Sequence, residues 1–150
     1  MSNYPGMSAR ESGIWAQFLR DVTLPPGEIY YNARIGRPIP GEPGWAPWVY
    51  AVREATSRKR LDAVLRKPNA WWLFEVKVRA GLSSIGQAIG YEYLFNQAIL
   101  GTAPVLVVVV CEYVSRDVDE ILAHEGIGMY IVHPIDRPRW TPPALAGLVR

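Results

Sequence analysis

The sequence has little cysteine and little histidine. Its 150 residues include one cysteine, Cys111, and two histidines, His124 and His133. A single cysteine excludes an internal disulfide, a zinc site built from cysteines and an iron–sulfur cluster, because each of these needs several thiols. The histidines have no metal-ligand spacing to each other or to acidic residues, so we expect both to be structural or exposed. Cys111 is expected to be a small buried hydrophobic residue.

Long hydrophobic runs are also missing. The longest, Ala103 to Cys111, is far shorter than the roughly 20 residues that a helix needs to cross a bilayer. No basic and then apolar leader opens the sequence, and no P-loop, dinucleotide fingerprint or nucleophile elbow is found. With no cysteine pair to oxidise, a reducing compartment is the natural one. We therefore expect a soluble, cytoplasmic protein without a membrane partner.

Composition and charge are those of an ordinary globular protein. Hydrophobic residues make up 49% of the chain and charged residues 20%, and the net charge is +2. This length predicts one domain over residues 1–150, with a proline- and glycine-rich excursion at 24–47 and a proline-rich tail at 134–150 that lies on the surface. The weak positive charge is compatible with a polyanionic partner but does not require one.

Hydrophobic periodicity predicts alternating helices and strands, as in α/β or α+β proteins. Ser8 is a candidate N-cap for the first helix, and Ser115 for the last. A strand around 104–111 carries β-branched residues on both faces, which predicts a central strand covered on both sides. The predicted helices are 8–21, 82–100 and 115–124, and the predicted strands are 28–33 (short), 48–55, 60–66, 71–80, 104–111 and 127–133.

The most informative stretch is a predicted hairpin with its turn at Pro68-Asn69. A two-residue or four-residue loop there places Asp62 opposite Glu75, whereas a three-residue loop would shift the register by one. Because side chains alternate along a strand, Glu75 and Lys77 share one face with Leu73. Two carboxylates and a lysine therefore converge at one end of the hairpin.

Directly opposed carboxylates destabilise a sheet unless a cation lies between them. Hard divalent ions such as Mg²⁺ take carboxylate and carbonyl oxygens as ligands, often together with water and substrate phosphates. The predicted position of Asp62 against Glu75 offers such a ligand set.

These residues resemble the signature of the PD-(D/E)XK nuclease superfamily. The matching positions are Asp62, then Glu75-Val76-Lys77 on the next strand, then Gln87 and Tyr91 four apart on the following helix. Leu61 stands where the name-giving proline would be. The resemblance extends over roughly residues 8–134. It implies a restriction-endonuclease-like αβββαβ core with a central mixed sheet flanked by helices, and a phosphodiesterase that uses Mg²⁺ or Mn²⁺ and acts on DNA.

The resemblance also implies roles for single residues. Asp62 and Glu75, with the carbonyl of Val76, would hold a divalent ion, and Lys77 would position water and stabilise charge. Gln87 and Tyr91 would contact the site or the scissile strand.

Three further features near the site have alternative interpretations. Glu11, on the first helix, would be an outer ligand of the metal, or else a first-turn acid that the helix dipole favours. The basic run Arg58, Lys59 and Arg60 would bind DNA phosphates, with Arg60 across from Lys77, or else would be a solvated turn. Glycines 86 and 90 are expected to let the helix approach the sheet closely.

The predicted function is a divalent-metal-dependent DNA nuclease. Two alternatives are a non-catalytic DNA-binding or assembly protein on a nuclease-like scaffold, and an unrelated domain in which the E-x-K spacing is accidental. The sequence does not distinguish endonuclease from exonuclease, one metal ion from two, or one DNA structure from another. Duplex-cutting members of the superfamily are commonly dimers, so a homodimer or higher homo-oligomer is one expectation.

Overall fold

The fold is seen in a computed structural model that describes residues 3–35, 44, 46–47, 59–98 and 103–144. In these ranges it contains three long helices and six strands in a mixed sheet. Their bounds are α1 (Ala9–Asp21), β1 (Glu28–Ile35), β2 (Lys59–Arg66), β3 (Trp71–Ala80), α2 (Leu82–Ala98), β4 (Val105–Val114), α3 (Arg116–His124), β5 (Gly128–Ile131) and β6 (Trp140–Thr141).

The strands lie in the sheet in the order in which they occur in the chain, β1 to β6. The first three are antiparallel neighbours, β3, β4 and β5 are parallel, and β6 is antiparallel to β5. The two parallel connections are made by α2 and α3, as parallel neighbours require. The predicted α+β class with a central mixed sheet is therefore confirmed.

The helices cover both faces of the sheet. Helix α1 packs through Trp15 and Phe18 on one face, where the Trp15 and Phe74 ring centroids are 5.1 Å apart. Helices α2 and α3 pack on the opposite face, for example through Phe95 and Leu122. Strand β4 lies between these layers and is buried on both sides, which confirms the prediction of a doubly covered strand.

The predicted register of the hairpin is confirmed from the turn as far as Ala63 and Phe74, and the predicted pair of Asp62 with Glu75 would be the next one along. Strands β2 and β3 pair Ala63 with Phe74, and the N–H of Lys67 donates to the carbonyl oxygen of Ala70 at 2.9 Å. In β3, Leu73 packs on the α2 face and Phe74 on the α1 face. Alternation along β3 therefore places Glu75 and Lys77 on the α2 face with Leu73.

Local signals fix the helix ends. Ser8 and Glu11 form a capping box at the start of α1, and Ser115 caps α3. Gly126 ends the α3 turn with φ +73°, a left-handed conformation that favours glycine. Both predicted N-caps are confirmed, and α2 follows its prediction as far as residue 98.

One prediction for the proline-rich regions needs correction. Beside β2 lies Glu28–Ile35, a longer strand than the short one predicted inside the 24–47 excursion. The strand predicted at 48–55 lies outside the described residues. In the tail, the sequence pattern did not predict the edge strand Trp140–Thr141, beside which the N–H of Ile131 donates to the carbonyl oxygen of Arg139 at 2.9 Å. Among the described helices, none is long and apolar enough to cross a membrane.

Candidate metal site

Strands β2 and β3 separate just before the predicted site. Their pairing ends at Ala63 and Phe74, although β2 continues along β1 as far as Lys59. We call this point, with Asp62 as the first residue beyond it, the fork. Asp62 and Glu75 are therefore one position beyond the last pair of β2 with β3.

A distortion shared by β1 and β2 marks the fork. Their pairing skips Asn32 and Asp62, and Asn32 has φ +53°, a conformation that asparagine tolerates better than most residues. Tyr31 packs toward α1, whereas Ala33 packs toward α2. The ribbon therefore reverses its faces at this rung, and this reversal accompanies its departure from β3.

Asp62 turns toward β3 at the fork. Its Oδ2 accepts the N–H of Val76 at 2.7 Å, a hydrogen bond that a backbone carbonyl would accept in an unbroken ladder. Burial raises the pKa of Asp62 to about 6, and the charge of Glu11 adds to that effect. The Val76 hydrogen bond and the charge of Lys77 act in the opposite direction. Asp62 and Val76, both predicted metal ligands, are thus in direct contact.

Glu75 is the most enclosed acid of the site, with 5% of its surface exposed. Its Oε1 lies 3.2 Å from Nζ of Lys77, and its Oε2 is buried without a hydrogen-bond partner among the described residues. Burial and then the charge of Asp62 raise the pKa of Glu75 to about 7, against the opposing effect of Lys77. The structure therefore brings Asp62, Glu75 and Lys77 together, as the hairpin arithmetic predicts.

Glu11 has the first of the two roles considered for it and lies near the site. Its carboxylate accepts the N–H of Ser8 at 2.8 Å, which is the capping interaction of a first-turn acid. Its charge also raises the pKa of both Asp62 and Glu75, so it lies close enough to act on the site. The capping role is observed, and the outer-ligand role stays a prediction.

Helix α2 contributes Tyr91 and Gln87. Tyr91 is buried, and its pKa rises to about 12, first because of burial and then because of the charges of Glu75 and Asp62. A hydrogen bond with Gln87 opposes the increase, while Oε1 of Gln87 is buried without a partner among the described residues. Both predicted residues therefore lie beside the acids.

The glycines of α2 do not have the predicted packing role. A Cβ added at Gly86 or Gly90 would meet no described atom within 4 Å. Both instead line a surface cleft of about 370 Å³ together with Gln87 and Tyr91. Their missing side chains leave space beside the site, whereas the helix approaches the sheet through Ala88 and Tyr91.

The basic run is only partly described, and one of its contacts was predicted wrongly. Arg58 and the side chain of Lys59 lie outside the described part of the structure. Arg60 is exposed and pairs with Arg34 of β1, not with Lys77, because β2 has already left β3 at the fork. The spacing of residues in the hairpin could not predict the pairing of Arg60 with Arg34, because spacing does not show where the pairing of two strands ends.

The donor atoms of the site fit a hard divalent cation. Two of the four buried polar atoms without a partner in the described chain are acceptors here, Glu75 Oε2 and Gln87 Oε1. An oxygen-binding ion and its water would satisfy such acceptors. No cluster of three or more acidic, histidine or cysteine side chains that could hold a metal occurs among the described residues. The fit therefore rests on two carboxylates and the Val76 carbonyl.

Comparison of the chain with protein-family models, with curated proteins and with solved structures finds no match. A function can therefore be assigned only from the residues of the site themselves. They comprise a buried and a half-buried carboxylate, a lysine in contact with the buried one and a tyrosine–glutamine pair on the neighbouring helix.

Proposed function

We propose that the protein is a divalent-metal-dependent DNA nuclease of the PD-(D/E)XK type, with Mg²⁺ or Mn²⁺ as its cofactor. The observation that carries the proposal is the buried Glu75 carboxylate, which has an unpartnered oxygen beside Asp62 and Lys77. The order of the described elements, α1-β1-β2-β3-α2-β4, agrees with the αβββαβ core that the resemblance implies. The motif residues thus occur on the elements where such a nuclease would need them.

In this proposal Asp62, Glu75 and the Val76 carbonyl hold the ion. Burial and then the charge of Asp62 raise the pKa of Glu75, so the folded protein carries an electrostatic cost that a cation would remove. The hydrogen bond from Val76 N–H orients the Asp62 carboxylate toward β3. Glu11 would add an outer contact through water, since its charge already acts on both acids.

When bound, a divalent ion supplies Lewis-acid stabilisation for phosphodiester hydrolysis. Lys77 places its ammonium group at Glu75, where it would orient the attacking water and stabilise negative charge on the phosphate. Tyr91 keeps its proton at neutral pH because its pKa is near 12, so its hydroxyl can donate to a phosphate oxygen. The buried Oε1 of Gln87 can accept a hydrogen bond from water.

Positive charge beside the fork supports a polyanionic substrate. Arg60 of β2 and Arg34 of β1 are exposed and directly opposed. Together with the adjacent Lys59 and Arg58, they would bind DNA phosphates in a way that weakens as salt rises.

Cleavage of labelled DNA tests the proposal. The panel contains linear duplex, single-stranded, flapped, junction and supercoiled DNA, each with Mg²⁺, Mn²⁺ or EDTA. We expect metal-dependent cleavage that Lys77→Ala reduces by about 100-fold or more, because the lysine acts on the charge of the transition state. The matched control is Lys67→Ala at the hairpin turn, which should retain the wild-type rate.

The proposed function would be wrong if no DNA were cleaved with either metal, or if cleavage were insensitive to Lys77→Ala. Binding of DNA without any cleavage would favour the non-catalytic alternative.

A further inference from the structure

A row of three planar side chains crosses the sheet near the C-terminal ends of its parallel strands. Arg79 of β3 is the direct neighbour of Tyr113 of β4, and His133 follows β5, where its N–H donates to the Glu112 carbonyl at 3.1 Å. The Arg79 guanidinium lies 5.2 Å from the centre of the Tyr113 ring. The rings of Tyr113 and His133 are stacked, with centroids 5.0 Å apart and an interplanar angle of 29°.

These three residues face solvent and are not needed by the core. Arg79 and His133 are exposed, Tyr113 is 37% exposed, and none of them belongs to either hydrophobic cluster of the sheet. The nearby acid Glu112 is engaged by Arg10. Within the described ranges no carboxylate forms an ion pair with Arg79, so its charge is available to an anion.

The row begins close to the candidate metal site. Arg79 follows Lys77 by two residues on the same strand, so their Cα atoms are about 7 Å apart. Across the sheet, the strand neighbours of Lys77 and Arg79 are Cys111 and Tyr113. A nucleotide adjacent to a phosphate held at Lys77 would therefore be within reach of the row.

We propose that Arg79, Tyr113 and His133 bind an unpaired nucleotide next to the scissile phosphate, which makes single-stranded DNA, or duplex DNA with a single-stranded end, the preferred substrate. The inference rests on the proposed nuclease function. Exposed aromatic rings bind bases by stacking, and arginine adds attraction to the phosphate. The bases of an intact duplex have their faces covered by neighbouring base pairs. Only an unpaired base can offer a face to His133, or to Tyr113 once Arg79 turns to a phosphate.

Binding in EDTA tests the row separately from catalysis. The probes are a fluorescein-labelled oligothymidylate and a blunt duplex of the same length, measured by fluorescence anisotropy at fixed salt. We expect the wild type to prefer the single strand, and Arg79→Gln, Tyr113→Ala and His133→Ala each to weaken its binding by about tenfold. Matched controls are Arg20→Gln on α1 and Tyr30→Ala on β1, which remove an exposed arginine and an exposed tyrosine elsewhere.

The outcomes separate the two proposals. Equal binding of both probes, or single-strand binding unchanged in all three row variants, would overturn the inference even where metal-dependent cleavage is observed. Weakened single-strand binding in the row variants, with no cleavage by the wild type under any metal, would retain the row and refute the nuclease. Melting temperatures of the variants show whether each one is folded. If Tyr113→Ala does not fold, His133→Ala provides the test.

Discussion

Two polar clusters lie on opposite faces of the same sheet and differ in the hydrogen-bond partners of their carboxylates. On the α1 face, Asp21 accepts a hydrogen bond from the hydroxyl of Tyr130 and lies 3.5 Å from the guanidinium of Arg139. On the α2 face, Glu75 lies near Tyr91 and contacts Lys77, yet one of its oxygens is buried without a described partner. Both clusters combine a carboxylate, a tyrosine and a basic residue.

The difference shows why one cluster is structural and the other is a candidate site. Both tyrosines have a pKa near 12 with burial as the main cause, so a shifted pKa does not distinguish the clusters. What distinguishes them is the second carboxylate. Asp21 is paired with donors, whereas Glu75 has Asp62 beside it and Glu11 nearby. Buried polar groups normally have partners, and Glu75 Oε2, which has none among the described residues, is the atom that the proposed cation would satisfy.

The largest expected effect is on catalysis. Asp62→Asn should reduce metal-dependent DNA cleavage by about 100-fold or more, because the negative charge that holds the ion is lost. The amide oxygen can still accept the Val76 N–H, so the fold should remain. Asp21→Asn removes the corresponding charge from the other cluster and should leave the cleavage rate within about twofold of wild type. Initial rates on the preferred DNA measure both, and equal losses in the two variants would contradict the distinction.

A smaller effect is expected on stability in the presence of metal. Mn²⁺ at 100 times its dissociation constant should stabilise the wild type by about 2.7 kcal/mol, since only the folded chain brings Asp62 and Glu75 together. Glu75→Gln should remove most of this gain, whereas Asp21→Asn should keep it. Thermal or urea unfolding with and without Mn²⁺ measures the gain. If Glu75→Gln gained as much as wild type, the ion would be binding elsewhere.

The core of the site could be predicted because it depends on local arithmetic. A short turn at Pro68-Asn69 sets the register of the hairpin, and strand alternation then places Glu75 and Lys77 on one face. Helical spacing likewise brings Gln87 and Tyr91 to the same side of α2. Strand register and helical spacing each involve few residues and do not depend on contacts that are distant in sequence.

The rest depends on where regular pairing stops, which side-chain patterns do not show. The prediction that Arg60 faces Lys77 assumes a ladder that continues past Ala63, where the pairing of β2 with β3 ends. The reversal at Asn32 was not predicted either, since one positive φ within a strand leaves only the weak signal of an asparagine. The edge strand at Trp140 is two residues long and is held by contacts with β5 that are distant in sequence. Its proline-rich surroundings predict a surface tail and give no signal of a strand.

The smallest expected effect is on the pH dependence of the stability of the metal-free protein. Folding raises the pKa of Glu75 from 4.5 to about 7, so the folded state holds this proton more tightly than the unfolded state does. The favourable contribution of the protonated Glu75 to the free energy of unfolding is complete below about pH 4.5. It is lost as the pH rises through about 7, because the ionised carboxylate is then buried beside Asp62. Glu75→Gln keeps the shape without the charge. In EDTA it should therefore be more stable than wild type by about 1 kcal/mol at pH 8.

The stability difference between Glu75→Gln and wild type should shrink toward pH 5, because wild type then carries a neutral Glu75 as well. Urea unfolding of both proteins at pH 5, 6.5 and 8 measures it. Asp21→Asn provides the contrast, since replacing a carboxylate that is already paired with Tyr130 should destabilise the protein or leave it unchanged. A Glu75→Gln protein less stable than wild type at pH 8 in EDTA would show that Lys77 already compensates the buried charge. The electrostatic argument for a cation at the fork would then fail.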